Sequence, residues 1–253
     1  MKLKTLFGTF MFLLCLFCFI SCSNDDETTE TVHLSFEKSY YERPLIGAKN
    51  IMVRGGNRDY SIEIENPTIV DIKVDLSSPV DMGSLKVYPK QKGETTIQVK
   101  DNIADETVSL KIKITDSYLN LAVDYTTPPP YKQGNEFFLI NNDSKDFYLY
   151  DENLQLEHTG TYQFYLENDT PYMELTYHKE FEGRTIYKYD LSGTSQAMFA
   201  MLNHFLGWNV DDFIEESEAI SVAPVVMSAT DVETNTAYRL IMKMNDIPEK
   251  ILE

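Results

Sequence analysis

Apolar and polar residues alternate along the chain from residue 33 to residue 116. Ile62 and Ile64 are separated by a polar residue, and the same period of two recurs in 70–74 and 108–114. This period gives a strand one apolar and one polar face, so each run predicts a half-buried β-strand. Turn-forming residues separate the runs, as at Asn66–Pro67 and Lys92–Gly93. The pattern predicts a sandwich of two β-sheets, for which roughly 80 to 100 residues suffice.

Tyrosine and phenylalanine dominate the strand pattern from residue 135 onward. Short strands are predicted at 137–140, 147–150, 161–166, 172–177 and 185–191, and a last strand is predicted at Ala237–Asn245. The turns at 167–171 and 182–183 are short, which favours antiparallel hairpins and hence a meander.

A helical pattern interrupts these strands. Met198, Leu202 and Phe205 share one helical face in 195–206, Thr194 or Ser195 can cap the start, and Gly207 follows the end. A second short helix is predicted at 211–218. The fold class is therefore mainly β: a sandwich, then a β-rich α+β domain at 135–253 with one packed helix. Two arrangements of that domain remain open, a curved open sheet covered by the helix and a small, lipocalin-like closed barrel.

A proline-rich stretch separates the two parts. The segment Asp124–Tyr131 contains three consecutive prolines, which favour an extended and fairly stiff polyproline conformation. We therefore predict a linker at 117–134 between a domain at 33–116 and a domain at 135–253.

The first 21 residues have the pattern of an export signal. Lys2 and Lys4 precede an apolar stretch from Leu6 to Ile20, and small Ser21 follows. The stretch is shorter than the roughly 20 residues that a membrane-spanning helix needs. We therefore predict a cleaved signal peptide at 1–21.

The sequence Phe19-Ile20-Ser21-Cys22 resembles the lipobox of bacterial lipoproteins, although leucine is commoner at the position of Phe19. The resemblance implies that Cys22 is acylated and becomes the N-terminus of a protein tethered to a membrane. The acidic tether at 22–32 begins with Ser23-Asn24-Asp25-Asp26-Glu27 and is similar to the tract that favours surface display in lipoproteins of Bacteroidetes-type bacteria. An outer-membrane or cell-surface location is the expectation.

The domain at 33–116 is similar to bacterial immunoglobulin-like domains of the Big2 type. The residues that carry this resemblance are Gly56-Asn57, Tyr60-Ser61-Ile62, Ile69-Val70-Asp71-Ile72, Leu85-Lys86-Val87 and Gly93 to Asp101. The resemblance implies an Ig-like β-sandwich that acts as a spacer or an adhesive unit, but a fold alone does not supply a function.

Charge and cysteine content exclude several kinds of function. Loss of Lys2 and Lys4 with the signal takes the formal net charge from −18 to −20. Such an acidic surface repels phosphate backbones, so nucleic acid is not an expected partner. Cys15, Cys18 and Cys22 all lie in or beside the signal, so the folded part has neither a disulfide nor a cysteine nucleophile. The acidic tracts lack the glycine and the final glutamate of an EF-hand loop, and we predict neither a metal nor a cofactor.

Aromatic residues are the candidate ligand-binding groups. Tyr148 with Tyr150 and Tyr187 with Tyr189 form same-face pairs on predicted strands, and Trp208 follows the helix. Exposed rings would stack on sugar rings or peptide, whereas buried rings would simply fill a core. A glycosidase needs only two carboxylates, which an acidic chain always offers; Glu174 on a tyrosine-rich strand is one of them, but nothing in the sequence singles it out. The four histidines show no metal-ligand spacing, and no nucleophile elbow follows a strand.

Three hypotheses follow. The first is a non-catalytic binding or adhesion lipoprotein, held to a membrane by its lipid, that recognises a glycan or a protein. The second is a glycan or peptide hydrolase, which would need a cleft with facing carboxylates. The third is a structural subunit of a surface assembly that pairs through an open edge, such as the last strand at Ala237–Asn245.

Overall fold

The computed structural model describes residues 32–126, 129–209 and 225–252, and within these ranges the chain is mainly β. The first seven strands form two sheets. Their bounds are β1 Tyr40–Pro44, β2 Ile51–Met52, β3 Tyr60–Ile64, β4 Val70–Asp75, β5 Ser84–Pro89, β6 Gly93–Asp101 and β7 Glu106–Thr115.

The two sheets share one apolar core. One has the strand order β1-β7-β6-β3, with β1 parallel to β7, and the other has the order β2-β5-β4. Ile51 and Leu85 of the smaller sheet lie in one cluster with Ile97 and Ile112 of the larger sheet. The predicted strands in 33–116 are thus confirmed, and the assignment to an Ig-like class stays a prediction.

The other eight strands form a closed antiparallel barrel. Their bounds are β8 Tyr118–Thr126, β9 Glu136–Ile140, β10 Asp146–Tyr150, β11 Leu156–Glu167, β12 Thr170–Phe181, β13 Arg184–Asp190, β14 Val226–Asp231 and β15 Ala237–Met242. Neighbours in the barrel are neighbours in sequence, and β15 closes it by pairing with β8. The meander prediction is confirmed, and of the two arrangements the closed barrel is the observed one.

The predicted linker at 117–134 is wrong for its first half. Leu119, Leu121 and Val123 alternate along β8, and each is at most 1% exposed because it packs inside the barrel. The barrel therefore begins at residue 118, and only Asp116 and Ser117 separate β7 from β8.

The last strand is not an open edge. It ends at Met242, earlier than predicted, and it pairs with β14 on one side and with β8 on the other. Both edges of this strand are paired in the closed barrel. The strand therefore has no open edge of the kind that the third hypothesis requires for assembly.

One helix, α1, spans Gln196–Leu206. The Ser195 side chain accepts a hydrogen bond from the Met198 N–H, and Gly207 ends the helix in the left-handed conformation at φ 70°. The predicted helix and both of its caps are confirmed. The second helix predicted at 211–218 lies outside the described residues, as do the signal peptide, Cys22 and most of the acidic tether. No described helix is both long enough and apolar enough to cross a membrane.

Candidate binding groove at the end of the barrel

Three of the four tyrosines proposed to bind a ligand are buried. Tyr187 and Tyr189 point into the barrel and are 0% and 1% exposed. Tyr150 is 1% exposed and lies in a separate apolar cluster, against which the half-buried Tyr148 packs. Of the two alternatives for these rings, the buried one is observed for Tyr150, Tyr187 and Tyr189, which fill two cores and do not form an exposed binding surface.

The inward-facing tyrosines form a hydrogen-bonded network. The Tyr131 hydroxyl lies 2.8 Å from the Tyr177 hydroxyl and 2.6 Å from the Tyr189 hydroxyl. Burial raises the pKa of all three phenols, so they stay protonated and can donate to one another. This network satisfies polar groups inside an aromatic core, which is what a structural role requires.

Trp208 is placed differently from the tyrosines. The left-handed turn at Gly207 directs the chain away from α1, and the half-buried indole ring stacks on Phe164 of β11. The ring centroids are 4.8 Å apart and the planes differ by 23°. Phe199 of the helix lies 6.0 Å from the indole on a tilted plane. Trp208 therefore joins the end of the helix to the end of the barrel.

A groove of about 220 Å³ runs along this stacked pair. It is bounded by the end of α1 on one side and by β11 with the turn before β10 on the other. Its lining consists of Lys145, Tyr162, Gln163, Phe164, Leu206, Gly207 and Trp208. Three of these residues, Tyr162, Phe164 and Trp208, are aromatic and form what we call the floor, and Gln163 and Lys145 are polar.

The polar groups of the groove are held in place. The Lys145 ammonium donates to Asn141 Oδ1 at 2.6 Å, and the Gln163 amide donates to Glu174 Oε1 at 2.9 Å. Glu174, the carboxylate considered for hydrolysis, thus lies beside the groove as the partner of Gln163. An aromatic floor with polar hydrogen-bonding groups at its edge is suited to a ring that is apolar on its face and hydroxylated at its rim.

Tyr162 contributes its ring rather than a reactive oxygen. Its hydroxyl donates to the Ile140 carbonyl oxygen at 2.9 Å, and burial raises its pKa. The phenol is therefore neutral at physiological pH and already has an acceptor. Its ring is one of the side chains that line the groove.

The histidines do not converge on the groove. The His158 ring lies 4.3 Å from the Phe181 ring, and the His178 Nδ1 lies 3.1 Å from the Thr159 hydroxyl. In the part of the chain that the structure describes, no three His, Cys, Asp or Glu side chains are grouped so that they could hold a metal ion.

Sequence reasoning selected Trp208 and missed its partners. Phe164 and Lys145 carry no signal of their own, because Phe164 reads as one more apolar residue of a strand and Lys145 as a turn residue. The left-handed backbone of Lys145, with φ 54°, is also not visible in the sequence.

Comparison with known proteins gives no family. No family profile matches the chain, and no curated protein matches it. Domains 4–9 of the surface layer protein SbsC align with 83% of this chain at 10% identity and a TM-score of 0.29, and the aligned part is 30% of that solved chain. Domains 5–6 of the same S-layer protein align with 84% of this chain at 12% identity and a TM-score of 0.27, and 98% of that chain is covered. At such low TM-scores these similarities carry no conclusion about fold or function.

Proposed function

We propose that this protein is a lipid-anchored, non-catalytic binding protein of the cell surface, and that the groove beside Phe164 and Trp208 recognises sugar rings of a glycan. In this proposal, acylated Cys22 holds the chain to the outer membrane. The two-sheet unit at 33–116, an Ig-like sandwich in this interpretation, serves as a spacer. The barrel presents the groove.

The stacked pair at the groove is the observation that carries the proposal. Trp208 is half-buried and lines the groove, whereas Tyr150, Tyr187 and Tyr189 are buried in apolar cores. Tryptophan is the residue most enriched among the side chains that dominate binding energy. Gln163 and Lys145 can hydrogen-bond to hydroxyl groups at the edge of a ring that stacks on the floor.

Overall charge narrows the ligand class. A mature net charge of −20 opposes binding of strongly anionic polymers, and it leaves neutral glycans as the favoured ligands. The single lysine of the groove is a hydrogen-bond donor for hydroxyls in this context.

The test uses the chain from Ser23 onward on an array of neutral and charged glycans, followed by titration of each hit. Trp208 is the only tryptophan of the chain, so its intrinsic fluorescence reports directly on the groove. We expect saturable binding to a neutral glycan together with a change in this emission. Trp208→Ala should weaken binding at least about tenfold, since a tryptophan hot spot contributes about 2 kcal/mol or more.

Tyr88→Ala is the matched control. Tyr88 lies on β5 of the two-sheet unit and is 44% exposed, so its loss removes an exposed aromatic ring away from the groove. Its binding constant should equal that of the unaltered protein. Binding that survives Trp208→Ala, or an array without any hit, would reject the groove as a glycan site.

A further inference from the structure

The segment at 243–252 crosses from the barrel to the two-sheet unit after the last strand ends. We call it the clasp. It is not a strand, and most of its side chains are exposed. Ile247 and Leu252 are its buried residues, at 6% and 5% exposed, and Pro248 and Ile251 are half-buried.

The clasp holds the barrel through an apolar anchor. Ile247 and Leu252 lie in one cluster with Tyr118, Phe138 and Tyr150 on the outer side of β8 to β10. A hydrogen bond supports this contact: the backbone N–H of Ile247 donates to the Tyr118 hydroxyl at 3.2 Å. Ile247 and Leu252 of the clasp thus complete an apolar cluster with side chains of β8 to β10.

Hydrogen bonds also hold the first residues of the clasp to the barrel. The Lys243 N–H donates to the Asn120 carbonyl oxygen at 2.9 Å, and the Asn245 amide donates to the Glu136 carboxylate at 2.7 Å. The path of the clasp along the barrel is therefore specified by backbone and side-chain contacts together.

The clasp holds the two-sheet unit mainly through charge. Asp246 lies 3.1 Å from the Lys49 ammonium and 3.9 Å from the Arg43 guanidinium. Glu249 pairs with Lys38 at 2.7 Å. A cavity of about 330 Å³ lies between the clasp and β1, and Lys38, Arg43, Asp246 and Glu249 are among the residues that line it.

Main-chain groups add two more bonds across the same boundary. The Lys250 N–H donates to Glu42 Oε2 at 2.9 Å, and the Lys113 ammonium donates to the Leu252 carbonyl oxygen at 2.7 Å. The clasp is thereby connected to Lys38 before β1, to Glu42 and Arg43 within β1, and to Lys113 of β7.

The direct contact between the two units is made near residues 45–49. Ile46 packs on the barrel core, and a Cβ at Gly47 would lie 3.1 Å from the Phe205 ring. The Ser117 hydroxyl donates to the Phe205 carbonyl oxygen at 3.0 Å. The connection at Asp116–Ser117 and the clasp belong to different segments of the chain, and both lie at the boundary between the two units.

We infer that the clasp locks the two-sheet unit and the barrel into one rigid body. A short connection alone permits rotation about its own bonds, and relative motion of two units is the default when the contact between them is small. The clasp adds a second, independent crossing to the short connection and to the contact near residues 45–49, and so removes that freedom. This inference does not depend on the identity of any ligand.

The test measures the distance between the two units directly. The chain from Ser23 onward contains no cysteine, so Ser109→Cys on β7 and Ile186→Cys on β13, both exposed positions, take spin labels specifically. Double electron–electron resonance should give one narrow distance peak for this labelled protein. Introducing Ile247→Asp should replace that peak with a broad distribution, because a charged group cannot stay in the apolar cluster.

Met244→Asp is the matched control, since Met244 belongs to the clasp and is 57% exposed. It should leave the narrow peak unchanged. If Ile247→Asp prevents folding, the pair Asp246→Asn and Glu249→Gln removes the ionic contacts from exposed positions and should broaden the peak. An unchanged narrow peak in the folded Ile247→Asp protein, or in the double variant where Ile247→Asp does not fold, would overturn the inference.

Discussion

The Tyr150 hydroxyl is buried without a hydrogen-bond partner among the described residues. Burial raises its pKa to about 12, so the group is neutral, but its donor capacity is unused. A buried polar group left unsatisfied costs about 1 to 3 kcal/mol. We expect Tyr150→Phe to raise the free energy of unfolding by about 1 kcal/mol, measured from the midpoint of urea denaturation.

Tyr162→Phe is the control for this prediction. Tyr162 is also buried, but its hydroxyl donates to the Ile140 carbonyl oxygen. Removing that hydroxyl should lower the free energy of unfolding by about 1 kcal/mol, opposite in sign to the change at Tyr150. Equal losses in the two variants would show that the Tyr150 hydroxyl has a partner after all.

Asp231 is a buried carboxylate that accepts hydrogen bonds from several donors. Arg184 approaches it with both terminal nitrogens, at 2.5 and 3.3 Å, and the Glu233 and Thr234 N–H groups donate at 2.8 and 3.1 Å. Burial alone would raise the pKa of Asp231, but these bonds outweigh burial and lower it. We expect Asp231→Asn to cost about 3 kcal/mol of unfolding free energy, because it leaves Arg184 without its main partner.

The same carboxylate predicts a pH dependence. Its folded pKa lies below the unfolded value of about 3.9, so its contribution is present above about pH 5 and is lost as the pH falls through the folded pKa. Urea midpoints measured from pH 6 to pH 3 should therefore fall less steeply in Asp231→Asn than in the unaltered protein. Asp143→Asn, at an exposed position, should follow the unaltered curve, and parallel curves for Asp231→Asn would contradict the assignment.

At the scale of elements, Gly160 allows β11 to pass close to β12. A Cβ at this position would lie 2.1 Å from the Thr176 carbonyl oxygen and 2.6 Å from the Phe147 ring. Backbone on one side and a buried ring on the other leave no room for the extra methyl group. We expect Gly160→Ala to lower the unfolding free energy by about 3 kcal/mol or more, measured by urea denaturation.

Gly183→Ala is the control, because it introduces backbone strain without the steric clash expected at position 160. Gly183 has φ 82° but no atom near its missing Cβ, so its substitution should cost only about 1 kcal/mol. If Gly160→Ala lowered the unfolding free energy by no more than Gly183→Ala does, β11 and β12 would be able to move apart without an energetic cost.

Elements were predictable from the sequence where local chemistry determines them. Ser195 and Gly207 mark the ends of α1 by their own hydrogen-bonding and conformational preferences, so both ends were placed correctly. Alternation placed Tyr187 and Tyr189 on one face but did not show whether that face is inside or outside. That depends on barrel closure, which is set by the pairing of β15 with β8, far apart in sequence.

At the scale of the whole molecule, β8 is a strand of the barrel, whereas the sequence pattern predicted a linker at this position. The prolines after it suggested a linker, although Leu119, Leu121 and Val123 already carry a strand pattern. The misplacement matters because β8 pairs with both β9 and β15. Without it the meander has two open edges and its inward face loses three apolar side chains.

This gives a prediction about fragments. A chain of residues 117–253 retains every strand of the barrel, whereas a chain of residues 135–253 lacks β8 and the buried Tyr131 that bonds to Tyr177 and Tyr189. We expect the longer fragment to unfold cooperatively with a near-ultraviolet circular dichroism signal from packed aromatic rings, and the shorter one to show neither. Cooperative unfolding of both fragments would place the start of the barrel at 135 and make β8 dispensable. Failure of both would mean that the barrel also requires the two-sheet unit, whose residues 45–49 and β1 contact the helix and the clasp.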